Sequence, residues 1–126
     1  MQLRVMRAKT NRPITDDEIA VVRAALERCP ETPAAHELLP TVSSLHVVDQ
    51  CQCGCPSVDF ERSCSEHPRP LADGLGITPS GDQVGLIIWG VSDAITGLEI
   101  YDMSASASEL KLTDLKSIIP WEEGAA

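Results

Sequence analysis

The stretch ITDDEIAVVRAALERC, residues 14–29, constrains this chain more than any other. Thr15 can cap a helix, Glu18 three residues later can reciprocate, and Ile14 can staple onto Ile19. Asp16 and Asp17 place negative charge where the helix dipole is positive. Ile19, Val22, Ala25, Leu26 and Cys29 then recur at helical spacing, which predicts a helix over 15–29 with one apolar stripe. Such a stripe needs a second layer to bury it, so the rest of the chain must supply one.

That layer is read as a sheet. Pro30 ends the first helix, and Thr32-Pro33 starts a shorter one through Leu38 and Leu39, with Pro40 forcing its exit. From residue 42, VSSLHVVDQ is rich in β-branched residues, and PSVDFE after the cysteines alternates with Val58 and Phe60 on one face, which predicts two antiparallel strands. Cys53-Gly54 can form a two-residue turn between them. Residues 63–82 combine proline, glycine and polar residues without a period and read as a long surface loop. QVGLIIWGV, 83–91, is apolar on both faces, as in a central strand covered on each side. After the short turn Ser92-Asp93-Ala94, ITGLEIYDM alternates and is its hairpin partner. The tail DLKSIIPWEEGAA is assigned one more helical turn before Pro120, with the last residues frayed. The expected architecture is α+β, N-terminal helices packed on a four-stranded antiparallel sheet, in a single domain spanning residues 1–126.

Composition narrows function by exclusion. Aromatics are only 3% of the 126 residues, so the core is expected to be built mainly from Leu, Ile, Val and Ala. Nineteen acidic residues against ten Lys and Arg give a net charge of -9, which repels phosphate backbones and anionic membrane surfaces. Nucleic acid and membrane are therefore not expected as partners, whereas a protein with a basic surface is. MQLRVMRAKTNRP is positively charged but is followed by no apolar run of signal-peptide or membrane-spanning type. The expected location is the cytoplasm, where thiols stay reduced, so an odd count of five cysteines is not a disulfide framework.

The segment CQCGCPS, 51–57, concentrates those cysteines and admits four readings. The first is packing: Cys51, Cys53 and Cys55 are small, weakly polar side chains around a bend, and no cofactor is involved. The alternative is a structural zinc site, for which Cys51, Cys53, Cys55, Cys64 and His67 are the candidate ligands and His46 is a further imidazole. Alternate residues of a straight strand lie about 6.5–7 Å apart, too far for thiolates on one zinc, so the chain must bend at Gly54 and the 63–67 segment must fold back. A redox dithiol and a cysteine nucleophile assisted by His46, His67 or Asp59 are the third and fourth readings. Cys29 ends the helical stripe and belongs to the core.

Asp59 and Glu61 alternate with Val58 and Phe60, and Glu99 with Leu98 and Ile100, which reads as a solvated sheet face before it reads as an acid/base pair. Trp89 is assigned to the core under a helix or to a partner contact, Trp121 to the tail, and His36 to the surface. DQCQCGCPSVDF (49–60) and GLEIYDM (97–103), after RPITDDEIAVVRAAL (12–26), resemble a family of small uncharacterised bacterial proteins with a CxCGCPSVDF-like signature. The resemblance implies a bacterial cytosolic protein and no reaction. The expected function is a small acidic, non-enzymatic binding or regulatory protein, immunity-like in class, using its acidic face or residues 63–82 to hold a basic partner. The alternative is the small metalloprotein.

Overall fold

The computed structural model describes residues 7–62 and 65–124. Its dominant element is a seven-stranded antiparallel sheet: β1 (Arg7–Pro13), β2 (His46–Cys51), β3 (Val58–Phe60), β4 (Arg69–Ile77), β5 (Gln83–Val91), β6 (Ala94–Asp102) and β7 (Ser117–Pro120). In space the order is β1-β2-β3-β6-β5-β4-β7, with every neighbouring pair antiparallel. The helices are α1 (Asp16–Arg28), α2 (Ala34–Glu37) and α3 (Trp121–Gly124), with 3-10 helices at Leu39–Ser44, Ala107–Glu109 and Leu112–Asp114.

One face of the sheet and the stripe of α1 make the core. Val22, Ala25 and Leu26 are fully buried, and α1 contacts β4, β5 and β7. Val84, Leu86 and Ile88 of β5, Leu98 and Ile100 of β6, and Val58 and Phe60 of β3 belong to the same cluster. The alternate positions of the central strands, Ile87, Trp89, Glu99 and Tyr101, are only half-buried. This is the two-residue period of a sheet with one covered face.

Thr15 caps α1 as the sequence predicts, with its hydroxyl accepting from the Glu18 amide (3.2 Å) and Glu18 accepting from the Thr15 amide (2.9 Å). Glu18, 5% exposed, also receives two hydrogen bonds from the Arg12 guanidinium, at 3.0 and 2.9 Å. One carboxylate thus completes the helix cap and ties the helix start to β1. Burial alone would raise its pKa, but the hydrogen bonds from Arg12 and from the Thr15 amide outweigh it and hold the Glu18 carboxyl below its ordinary value.

The expected α+β arrangement of N-terminal helices on a four-stranded sheet is overturned: seven strands form the molecule and the helices are few and short. The hairpins β2–β3 and β5–β6 stand where the sequence puts them, but three strands were not anticipated. β4, nine residues long, occupies the middle of the stretch read as the loop 63–82. Glycines hide its periodicity, because a Cβ at Gly74 would lie 2.6 Å from Cys29 Sγ and 2.7 Å from the Ile119 carbonyl oxygen. The strand is bare there so that its neighbours can approach. β1 is an edge strand with the polar sequence RAKTNRP, and edges tolerate polar residues that a pattern search discards. The tail turn assigned before Pro120 is instead β7, which pairs with β4 from Ser117 to Pro120. Pro40 does not end the helical region but sits in the first turn of the 3-10 helix Leu39–Ser44, so β2 begins only at His46. Of the final Gly-Ala-Ala read as frayed, Gly124 ends α3, and Ala125 and Ala126 lie outside the described residues.

Because the Glu18 carboxyl titrates lower in the folded than in the unfolded chain, its contribution to stability is complete above the unfolded value and is lost as pH falls through the folded one. Urea midpoints measured from about pH 7 to about pH 3 are expected to fall less steeply in Glu18→Gln than in the parent protein. Parallel curves would remove Glu18 from the acid response.

Candidate functional site

β2 and β3 are joined by residues 52–57, a loop longer than the two-residue turn the sequence suggested. The Cys51 amide donates to the Ser57 carbonyl (3.3 Å) and closes the base of this loop. Gly54 at its tip has φ +103°, and a Cβ there would lie 2.8 Å from the Ser108 carbonyl oxygen. Both the backbone conformation and the close approach therefore require glycine. At the loop's end Ser57, 6% exposed, accepts from the Ile100 amide (2.9 Å) and donates to the Ile100 carbonyl (3.2 Å). A side chain thus continues the hydrogen bonding of β6 just before β3 takes over at Val58.

This anchoring gathers three sulfurs. The Sγ atoms of Cys51, Cys53 and Cys55 all lie within 4.8 Å of one another, a group able to hold a metal ion. Cys51 and Cys53 are joined as a disulfide with a Cα–Cα distance of 5.4 Å, leaving Cys55 free, so the expectation that all thiols are reduced is corrected at this pair. The amide of Cys53 donates to Cys51 Sγ (3.3 Å) and that of Cys55 to Cys53 Sγ (3.4 Å). Cys55 Sγ donates to Ser57 Oγ at 3.5 Å, which links the sulfurs to the buried clamp. Cys51 and Cys55 are half-buried and Cys53 is exposed, so the cluster is reachable from solvent.

Among the described residues, the two candidate histidines do not join it. Cys64 lies outside the described residues. His67 is exposed and is absent from the sulfur group, and the His46 ring is hydrogen-bonded to Asn11 Oδ1 instead. Cys29 is buried beside Gly74, where burial pushes its thiol up to about 11, the mark of an unreactive core cysteine.

Cys51 and Cys55 also line a groove of about 830 Å³ on the half-exposed face of the sheet, together with Asp49, Asp59, Glu61, Arg62, Trp89 and Glu99 among others. Asp59 and Glu99 do reach one outer face, as their alternation suggested. The Trp89 indole N–H donates to Glu99 (2.8 Å), and on the same sheet the Trp121 N–H donates to Asp73 (2.9 Å). Each indole is thereby fixed by a carboxylate. Tyr101 covers Gly85 from β6, and its phenol is raised by burial and then by the negative charges of Asp73 and Glu99. Sequence reasoning missed Ser57 and Ser108, because a clamp and a backstop made by distant residues leave no local pattern.

No protein-family model, curated protein or solved structure matches the chain. Among the described residues no helix is long and apolar enough to cross a membrane.

Ser57→Ala leaves the buried Ile100 amide and carbonyl without their hydroxyl partner and is expected to lower stability by about 1–3 kcal/mol. Gly54→Ala, strained and in collision with Ser108, is expected to cost about 1–3 kcal/mol as well. Urea denaturation against exposed Ser43→Ala, expected within about 0.5 kcal/mol of the parent, checks both.

Proposed function

We propose that this is a small non-enzymatic binding protein whose 51–55 loop, when reduced, holds a thiophilic metal ion, zinc in the first place. The observation that carries this reading is the convergence of three cysteine sulfurs within 4.8 Å of one another. Thiolates on one tetrahedral zinc at about 2.3 Å stand about 3.8 Å apart, so small side-chain rotations bring the three into range. Soft sulfur donors select zinc or copper(I) over magnesium or calcium. The amide donors to Cys51 and Cys53 are outer-shell contacts of the kind that orient sulfur ligands. Reduction of the Cys51–Cys53 bond by an external dithiol takes two electrons and two protons, and metal binding then displaces thiol protons. The metal's role in this reading is structural, tying the loop tip to the end of β2, with a fourth protein donor closing the site.

A second reading has its own support. The Cys51–Cys53 bond with a free Cys55 beside it fits a dithiol that exchanges disulfides with a partner.

Protein kept in a phosphine reductant and titrated with zinc in competition with a chromogenic chelator is expected to bind one equivalent. Cys55→Ser is expected to weaken binding by more than about tenfold, since loss of outer-shell contacts alone costs that much. Cys29→Ala is expected to leave binding unchanged, and Cys64→Ser separates a three-sulfur site from a four-ligand one. Absence of binding in the reduced parent, with disulfide exchange retained, would replace the metal reading with the dithiol one.

A further inference from the structure

Cys51 and Cys53 can serve the loop in two ways that exclude one another. As thiolates they are two of the three sulfurs gathered within 4.8 Å of one another. As the disulfide of the present structure, neither sulfur carries the negative charge that a metal ligand needs. Closing the bond leaves Cys55 as the one free thiol of the three. The metal site and the bond are therefore alternative states of the same residues, and whatever oxidises the pair also opens the site.

The surroundings decide which sulfur an oxidant meets first. Both sulfurs of the pair accept a backbone amide, at 3.3 Å for Cys51 and 3.4 Å for Cys53, so access is what separates them. Cys53 is exposed, whereas Cys51 and Cys55 are half-buried. Cys51 stands at the end of β2, its amide bound to the Ser57 carbonyl, with its Cα 5.4 Å from that of Cys53. Cys55 Sγ instead donates to Ser57 Oγ, the hydroxyl already engaged with Ile100. The pair that closes is thus Cys51 with Cys53, and Cys55 stays behind. The contacts of Gly54 with Ser108 and of Ser57 with Ile100 involve neither sulfur of the bond, so the loop keeps its anchors in both states.

We propose that the loop is a metal clasp opened by hydroperoxide, a step that rests on the metal reading above: Cys53 takes the oxidant, Cys51 closes onto it, and the ion is released. The Cys53 thiolate attacks one oxygen of hydrogen peroxide. An S–O bond forms, the O–O bond breaks, and the departing hydroxide takes a proton to leave as water. The Cys51 thiolate then attacks Cys53 Sγ, so that the S–S bond forms, the S–O bond breaks and a second hydroxide is protonated to water. Two thiolates, one peroxide and two protons give one disulfide and two waters, with two electrons passing from the sulfur pair to the peroxide. Two of the three sulfur donors are lost, and the ion is set free with its charge unchanged. An external dithiol restores the thiols.

The test adds one equivalent of hydrogen peroxide to reduced, zinc-loaded protein freed of reductant, with a chromogenic chelator too weak to strip zinc beforehand. One zinc is expected to appear per disulfide formed, with the circular dichroism of the sheet unchanged. Free thiols are then blocked with one maleimide, the disulfide is reduced, and its thiols are blocked with a heavier one. Fragmentation is expected to place the heavier label on Cys51 and Cys53 and the lighter one on Cys55. In metal-free protein, oxidation of Cys51 is expected to run at least tenfold slower in Cys53→Ser than in Cys55→Ser. Dimedone is expected to capture the sulfenic acid at Cys53 when Cys51→Ser and Cys55→Ser are combined. Zinc retained while peroxide is consumed, zinc freed without the Cys51–Cys53 bond, or a sulfenic acid trapped first at Cys51 or Cys55 of the parent would overturn the proposal and leave the metal reading standing. A reduced parent that binds no zinc would overturn both.

Discussion

The long helix α1 covers one face of the sheet, and most of the molecule follows from that. With Val22, Ala25 and Leu26 of α1 fully buried, the facing positions of the strands, Leu86, Ile88 and Leu98, are obliged to be apolar. The alternate positions are released from the core. They carry Asp59, Trp89, Glu99 and Tyr101, side chains with an apolar body or a charge that a second helical layer would have had to desolvate. A small core of mainly aliphatic residues is enough for such a two-layer body, in which Phe60 is the one buried aromatic, while Trp89 and Tyr101 stand half-buried on the other face and Trp121 is exposed.

Arg12 and Glu18 fix how the helix enters this arrangement. The carboxylate closes the capping box and receives the guanidinium at 2.9 and 3.0 Å, so the edge strand and the helix start are positioned by one ion pair. The pair is strengthened by two parallel hydrogen bonds onto a buried carboxylate, whereas in Lys9–Asp49 the ammonium is almost fully in water and a single contact is made at 3.6 Å.

What could be read from the sequence followed the strength of local patterns. The cap at Thr15, the stripe through Leu26 and the two hairpins are written in neighbouring residues, and they stand in the structure. β4 was illegible because Gly74 and Gly76 replace the side chains that would have shown alternation, and the reason for those glycines lies in Cys29, Ile119 and Leu115. β7 was misread because SIIP is too short to distinguish strand from helix without its partner on β4. For the site, the bend at Gly54 that brings the three cysteines together was foreseen, while the groove was not. Its walls come from β3, β5 and β6, whose order in space no local pattern encodes.

The bond between Cys51 and Cys53 spans a sequence separation of two residues. A crosslink that short encloses almost no chain, so it removes little freedom from the unfolded state and the sheet does not lean on it. Gly54 against Ser108 and Ser57 on Ile100 hold the loop in place by other means. The scaffold is thus a bystander to its own sulfur chemistry: oxidation or reduction at the loop tip can proceed while the architecture behind it stays intact.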